Sequence, residues 1–288
     1  IDLTDVRFVT GIRFAFTNTA AISLTAGERV LIVKDLAAFQ ERYGTGFNIA
    51  GVYDGLLDNG GERLRLLAAD GEEILDFEYN DAWYPITDGA GFSLVIVDEN
   101  AEPDAWNSKT NWRPSGQIHG TPGGEDPGAP VLAPILVNEV LTHTDPPQLD
   151  LVELYNPTTN DVNIGGWFLT DDFTNATKFR IPNGTIINAG NYATFDENDF
   201  NPNPGVPPSF AFSSKGDEVF LFSGDPAGTE LTGYVDGFDF GAAENGVSFG
   251  PYETSTGNVD IVPLAEFTPG EPNSGPKVGP VVISELMY

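Results

Sequence analysis

The chain has 288 residues, which is enough for two domains that each bury a core of their own. Its net charge is −30, so its surface would repel a phosphate backbone, and nucleic acid is excluded from the expected partners. The sequence contains no cysteine, which excludes disulfide bonds and thiol chemistry. It also contains no apolar run that approaches the ~18 residues of a membrane-spanning helix.

Short strands separated by turns dominate the predicted elements. Strand-like sequence begins at Ile1, which we interpret as a start inside a longer gene product or one left by processing. Residues 64–66 and 77–79 alternate apolar and polar side chains, as strands with one buried face do. Only residues 35–43 predict a helix, with Asp35 as its N-terminal cap. Many strands with closely spaced turn signals favour a β-sandwich.

The sequence repeats itself. Residues 134–141 (PILVNEVL) recur 146 residues later as 280–287 (PVVISELM). Five further pairs of segments align in the same order: 1–6 with 162–167, 25–27 with 188–190, 59–64 with 214–219, 91–94 with 246–249, and 121–123 with 268–270.

Two Pro/Gly-rich stretches fall at equivalent points of the repeat, where proline has no amide to continue a sheet. We therefore predict the following organisation: a domain over residues 1–123, a linker over 124–134, a complete domain over 135–270, a second linker over 271–280, and a strand over 281–288.

The second repeat carries an ordered set of motifs: VNEV at 137–140, LVELYNP at 151–157, VNIGGW at 162–167 and TPGEPN at 268–273. This set resembles bacterial lamin tail domains, and residues 1–123 resemble the family less completely. The resemblance implies immunoglobulin-like sandwiches, found repeated in large exported bacterial proteins and without shared catalytic residues. We therefore expect an all-β fold with two consecutive immunoglobulin-like β-sandwich domains, followed by the first strand of a further repeat.

The first predicted domain lacks the opening strand of the repeat, whereas the C-terminus carries an extra copy of it. One interpretation is that the chain is a segment of a longer repeat protein, with ends that are boundaries only. The other is donor-strand complementation, in which residues 281–288 of one copy fill the gap in the first domain of the next and build a filament. The side chains that would form this joint are Val281, Val282, Ile283, Leu286 and Met287.

Acidic loops are the candidate metal sites. Their oxygen ligands would be Asp98, Asn100, Glu102 and Asp104 in the first domain, and Asp196, Asn198 and Asp199 in the second. Neither loop has the spacing of an EF-hand, so solvated acidic loops are the simpler interpretation and weak Ca²⁺ binding is the alternative. We expect no other cofactor.

Residues 246–250 fit the Gly-x-Ser-x-Gly pattern of a hydrolase nucleophile, but no helical pattern follows them. His119 and His143 lie in loop-like sequence, and neither pairs recognisably with Ser248. We therefore expect no catalytic site. A hydrolase would need a pocket that joins this serine to a histidine and a carboxylate.

Aromatic residues offer one hint of ligand binding. Trp83, Tyr84, Trp106 and Trp112 lie in loop-like sequence where a flat ring could stack on a sugar, although rings that hold loops against a sandwich are commoner.

We expect a structural or adhesive repeat module of a large extracellular or cell-surface bacterial protein, and not an enzyme. Its expected partners are copies of itself or adjacent repeats of the same chain. The alternative is an accessory carbohydrate- or protein-binding module attached to an enzyme.

Overall fold

The computed structural model describes residues 1–17, 23–279, 285 and 287, and these residues form mainly β-strands. The chain divides into two units, Ile1–Ala129 (unit 1) and Pro130–Tyr288 (unit 2). The border lies inside the predicted linker over 124–134. No helix in the described part of the chain is both long and apolar enough to span a lipid bilayer.

Unit 1 contains nine strands and one α-helix among its described residues. They are β1 (Arg7–Thr10), β2 (Ile12–Ala15), β3 (Leu31–Val33), α1 (Leu36–Tyr43), β4 (Ile49–Val52), β5 (Asp54–Gly55), β6 (Arg63–Leu67), β7 (Glu73–Glu78), β8 (Leu94–Ile96) and β9 (Trp112–Pro114). Short 3₁₀ helices lie at Asp81–Trp83, Pro85–Thr87, Pro103–Asn107 and Lys109–Asn111. One antiparallel sheet has the order β5-β2-β1-β6-β7, while β3 with β4 and β8 with β9 form two separate pairs.

Unit 2 contains two larger sheets. Its elements are β10 (Leu136–Leu141), β11 (Leu151–Tyr155), β12 (Val162–Asn163), β13 (Phe168–Thr170), β14 (Phe179–Arg180), β15 (Ile186–Ile187), β16 (Tyr192–Asp196), α2 (Glu197–Phe200), β17 (Asp217–Gly224), β18 (Leu231–Phe240), β19 (Ser248–Glu253) and β20 (Val259–Pro263). The strand orders are β16-β11-β10-β19-β20 and β14-β13-β17-β18, with β12 and β15 as a small additional pair.

The two sheets of unit 2 face each other around one core. Val140 and Leu154 from the first sheet and Leu169 and Leu221 from the second are all fully buried in one apolar cluster. Trp167, the last residue of the VNIGGW motif, is 5% exposed and belongs to the same cluster. The fold is therefore an all-β sandwich, as the alternating strands and the resemblance predicted.

Unit 1 repeats the second of these sheets strand for strand, because β2-β1-β6-β7 follows the same order as β14-β13-β17-β18. The turn before the first of these strands also matches. Asp5 N donates to Phe16 O at 3.1 Å, as Gly166 N donates to Ile181 O at 3.0 Å. Both donors have positive φ, 60° for Asp5 and 93° for Gly166. Asp is among the few residues other than glycine that tolerate this conformation.

The predicted helix is confirmed. It begins at Leu36, and the Asp35 side chain accepts a hydrogen bond from Ala38 N, as an N-terminal cap does. It ends at Gly44, whose positive φ stops the helix. The second, one-turn helix α2 was not predicted, because four residues are too few for a periodic pattern.

Residues inside both predicted linkers are hydrogen bonded to neighbouring parts of their own units. In the stretch 124–134, Asp126 accepts hydrogen bonds from Gly116 N at 3.0 Å and from Arg113. In the stretch 271–280, Lys277 N donates to Pro263 O at 2.7 Å. Proline and glycine mark chain that cannot continue a sheet, but they do not prevent side-chain and backbone hydrogen bonds that hold a segment onto its own sandwich.

Candidate strand-binding site

A buried glutamate links two neighbouring strands to the closing loop of unit 2. Glu139, on β10, is 0% exposed. Its carboxylate accepts a hydrogen bond from the Ser248 hydroxyl at 2.5 Å, on the neighbouring strand β19. It also accepts one from Thr268 N at 3.1 Å, in the loop that follows β20. Both carboxylate oxygens therefore accept hydrogen bonds, which a buried carboxylate needs because it has lost its contacts with water.

A second buried glutamate holds the same loop. Glu153, on β11, is 0% exposed and accepts hydrogen bonds from Gly270 N at 2.5 Å and Asn138 Nδ2 at 2.8 Å. Asn138 in turn exchanges hydrogen bonds with Asn273, whose Nδ2 donates to Asn138 O at 2.8 Å. We call Glu139, Glu153 and the loop 268–273 the carboxylate clasp. It fastens the end of unit 2 to the opening strand pair β10-β11.

Burial raises the pKa of both Glu139 and Glu153 above the usual range, and their hydrogen bonds offset part of this effect. A carboxylate with no exposed surface and with its oxygens already occupied by donors has no room for a substrate. The clasp is therefore a structural site.

Sequence reasoning missed this site, although a signal was present. Glu139 is a charged residue in a strand of mostly apolar residues, and the aligned residue of 280–287 is Glu285. A charged residue in such a position predicts a buried partner, but its donors lie more than 100 residues further along the chain.

No described strand of unit 1 occupies the place that β10 and β11 hold in unit 2. The strands that flank this place in unit 2 are β16 and β19. Their counterparts in unit 1, by the repeat alignment, are β3, which also precedes a helix, and β8. Within the described residues β3 pairs only with β4, and β8 pairs only with β9. Since β4 runs on into β5 at the outer edge of the other sheet, the inner edge of β3 is left facing β8.

A groove of about 900 Å³ lies between these two strands. Leu31 and Val33 of β3 line one side of it, and Leu94 and Ile96 of β8 line the other. Thr121, at the start of the closing turn of unit 1, lines the groove as well. The groove therefore offers apolar side chains and two unpaired strand edges at once, which are the features of a site for an added strand.

Fewer apolar side chains are buried in unit 1 than in unit 2. Its described residues include eight buried apolar side chains, against 23 in unit 2. Unit 1 spans 129 residues and unit 2 spans 159, so length accounts for only part of the difference. Val33 is its one buried residue on β3, and none of the three residues of β8 is buried. An added strand would cover them.

The predicted joint residues lie mostly outside the described part of the chain. Val281, Val282, Ile283 and Leu286 are not described, while Met287 is 93% exposed and Glu285 is exposed. Their role stays a prediction.

The candidate calcium residues form local hydrogen bonds within their own loops. Asp98 accepts one from Asn100 N at 2.9 Å. Asp196 accepts one from Asn198 N, and Asp199 accepts one from Asp196 N at 3.0 Å, which together cap α2.

The remaining two candidates, Glu102 and Asp104, flank the start of the 3₁₀ helix Pro103–Asn107. Among the residues that the structure describes, no three His, Asp or Glu side chains gather as a metal-binding group. Calcium binding at either loop stays a prediction.

The aromatic candidates of unit 1 pack on one another. Trp106 meets Trp112 edge to face at a centroid distance of 5.6 Å, and both rings contact Phe77. Trp83 lies 6.2 Å from Trp112, and the Tyr84 hydroxyl donates to Trp112 O at 2.8 Å. These rings hold loops against the sheet, and their tilted arrangement does not form a flat platform.

The serine and histidine candidates do not form a catalytic arrangement. Ser248 lies on β19 and donates to Glu139. The His119 ring is hydrogen bonded to Arg42 at 2.8 Å, and the His143 ring is hydrogen bonded to Ala243 O at 2.8 Å. Neither ring contacts the serine hydroxyl, so the Ser–His pair of a hydrolase triad is not formed by these residues.

Residues 129–238 match the family model described as Lamin Tail Domain. The match ends within β18, so the groove of unit 1 and the residues Ser248 and Thr268 of the clasp lie outside it. No curated protein and no solved structure matches the chain. The matched segment is similar to this immunoglobulin-like family, which is non-catalytic.

Proposed function

We propose that this chain, whose residues 129–238 form a lamin tail domain, is a structural module that joins copies of its own repeat by addition of a β-strand. The observation that supports the proposal is the open place between β3 and β8 in unit 1, which unit 2 fills with β10 and β11. A head-to-tail joint of this kind does not close on itself and would build a filament.

The composition suits an extracellular or cell-surface location. A net charge of −30 keeps a repeat protein soluble in a salty medium, and the absence of cysteine makes the fold independent of redox conditions. We propose no catalytic activity for the chain, in line with the non-catalytic family of its matched segment.

Light scattering after size exclusion tests the joint. The 288-residue chain is compared, over a range of concentrations, with a variant that ends at Gly279. The shortened variant keeps all described strands of both units. We expect the full chain to form long oligomers that dissociate on dilution and the shortened variant to stay monomeric. If both the full chain and the shortened variant are monomeric at every concentration, assembly by the C-terminal strand is refuted.

An accessory binding module is the alternative that the sequence suggested. Its partner would be a carbohydrate or another surface protein. Binding of the chain to a glycan panel, lost on Trp83→Ala, would favour this alternative, whereas the packed rings of unit 1 offer it no exposed platform.

A further inference from the structure

The two buried glutamates of the carboxylate clasp lie directly opposite each other. Glu139 of β10 and Glu153 of β11 are Cα partners in the antiparallel ladder, and both side chains are 0% exposed. The Cβ atoms of such partners are about 5 Å apart. We propose that this pair holds a single proton at neutral pH, that the proton lies on Glu139, and that the clasp therefore weakens as the pH rises. Strand addition to unit 1 is not required for this behaviour.

No positive charge compensates the pair among the residues that the structure describes. The ion pairs in this part of unit 2 involve Lys178 and Lys277, and neither glutamate has a cationic partner. Burial raises the pKa of Glu153, and the charge of Glu139 raises it further. Two like charges this close in a fully buried site cannot both ionise without a large cost in free energy, so one carboxyl group keeps its proton.

The other groups that face the pair are neutral or acidic. Thr194 of β16 is the cross-strand partner of Glu153, and Ser248 faces the pair from β19. Burial raises the pKa of Tyr192 on β16, and the charges of Glu153 and Glu271 add to this effect. Glu271 itself lies in the closing loop. None of these groups supplies a positive charge, so the pair must be neutralised by a proton of its own.

The hydrogen-bond partners of Glu153 can only donate. Gly270 N donates to Glu153 Oε2 at 2.5 Å, and Asn138 Nδ2 donates to Oε1 at 2.8 Å. Asn273 fixes the orientation of the Asn138 amide, because Asn273 Nδ2 donates to the backbone oxygen of Asn138 and its Oδ1 accepts from Asn138 Nδ2 at 2.9 Å. A proton on either oxygen of Glu153 would point at a donor, so Glu153 is the charged member.

The partners of Glu139 include two hydroxyl groups. The Ser248 hydroxyl donates to Glu139 Oε1 at 2.5 Å, and Thr268 Oγ1 lies 3.3 Å from Oε2. A hydroxyl group accepts as well as donates, so a proton on Oε2 has an acceptor in Thr268 Oγ1 while Ser248 continues to donate to Oε1. Thr268 N, at 3.2 Å from Oε1, also keeps its acceptor. Glu139 is therefore the protonated member of the pair.

Closing the loop over the pair takes up this proton. When the loop is open, both glutamates meet water and titrate near their ordinary pKa of 4.5, so neither holds a proton at neutral pH. The open state thus binds one proton fewer than the closed state, and the equilibrium constant for opening rises about tenfold for each pH unit. The clasp is strongest below the ordinary pKa and weakens with rising pH until the closed state loses its proton too.

Matched glutamine substitutions test where the proton lies. Glu139→Gln places an NH₂ group against Thr268 Oγ1 in place of the proton, whereas Glu153→Gln turns an NH₂ group against a donor. The readout is hydrogen exchange of the Thr268 and Gly270 amides at pH 7. We expect Glu153→Gln to raise the opening constant about 10- to 100-fold, and Glu139→Gln to raise it less than about 3-fold. Equal effects, or the reverse order, would overturn the assignment of the proton to Glu139.

The pH dependence of the same opening constant tests the shared proton. From about pH 5.5 to 7.5, once intrinsic exchange rates are divided out, the constant should rise by about tenfold per pH unit in the unsubstituted chain. Glu139→Gln should be nearly flat, because it has no proton to take up. Glu271→Gln removes an exposed charge from the same loop, so as the control it should keep the slope. An unchanged slope in Glu139→Gln would overturn the proposal.

Carbon-13 spectra of the unsubstituted chain, labelled at its glutamate carboxyl groups, give a readout that does not depend on whether a variant folds. At pH 7 one glutamate resonance should have the chemical shift of a protonated carboxyl group, and this resonance should be missing in Glu139→Gln. The absence of any protonated glutamate at pH 7 would overturn the shared proton. Assembly into oligomers is a separate measurement, so the proposed function stands or falls independently of this result.

Discussion

Asp236 stabilises unit 2 more when it is protonated than when it is charged. Its carboxylate, on β18, accepts a hydrogen bond from Val137 N of β10 at 2.7 Å. Burial raises the pKa of Asp236 to about 6, and this single hydrogen bond only partly opposes the effect. Asp236→Asn removes the charge, and the amide oxygen of the asparagine can still accept the hydrogen bond from Val137 N.

The native state of unit 2 holds the Asp236 proton at a higher pH than the unfolded chain, for which 3.8 is the ordinary value. The stabilisation is therefore complete below the unfolded pKa and is lost as the pH rises through about 6. At about 1.4 kcal/mol for each pH unit between the two values, the charged form costs native unit 2 about 3 kcal/mol at pH 8.

The measurable part of this effect depends on the pH range. The sequence pI is about 4.1, so pH 5 is the lowest practical condition for a soluble chain. Between pH 8 and pH 5, the Asp236 contribution should change by about 1.4 kcal/mol, roughly half of the total. Asp236→Asn buries an amide NH₂ group without an acceptor. The free-energy cost of that burial is the same at pH 5 and pH 8, so it cancels when the pH dependence of the two chains is compared.

Urea unfolding at pH 5 and pH 8, followed by pulsed hydrogen exchange of peptides from β10 and β18, reports on unit 2 alone. We expect Asp236→Asn to lose about 1.4 kcal/mol of pH dependence relative to the unsubstituted chain. Asp239→Asn, which removes an exposed carboxylate from the same strand, is the control and should leave that dependence nearly unchanged. If Asp236→Asn and the unsubstituted chain show the same pH dependence, the assignment of the proton to Asp236 is wrong.

Three further substitutions test the account of stability. Glu139→Ala leaves its hydroxyl and amide donors buried without an acceptor, so unit 2 should lose about 3 kcal/mol or more in urea unfolding. Glu139→Gln keeps an acceptor and should lose less, and equal losses would contradict the clasp. Gly237→Ala should destabilise unit 2 by more than about 2 kcal/mol, because the new Cβ would lie 2.1 Å from a carbonyl oxygen of β17. Gly241→Ala, which meets nothing within 4 Å, should be nearly neutral in the same assay. Asp35→Ala should lower the stability of unit 1 by about 1 kcal/mol through loss of the α1 cap, while Asp35→Asn should not, as measured by hydrogen exchange of α1.

Much of the local structure follows from the sequence alone. The cap at Asp35 and the strands around residues 64–66 and 77–79 depend on neighbours a few residues away, and each was predictable. The organisation in two units was also predictable, because the same motifs occur twice along the chain in the same order.

The candidate site needed the tertiary structure. The partners of Glu139 lie 109 and 129 residues away, and no local pattern specifies such a pairing. Asp196 and Asp199 resemble metal ligands in the sequence, but in the structure they cap a helix through contacts only two or three residues apart.

The sequence by itself determined how the two halves correspond, because residues 1–123 align in order with the second repeat from residue 162 onwards. Only the tertiary structure decided that β3 and β8 stay apart, so that apolar side chains and unpaired strand edges face an open groove. The physical reason is that a strand's character depends on its own residues, whereas the state of its edges depends on which distant strands the folded chain brings beside it.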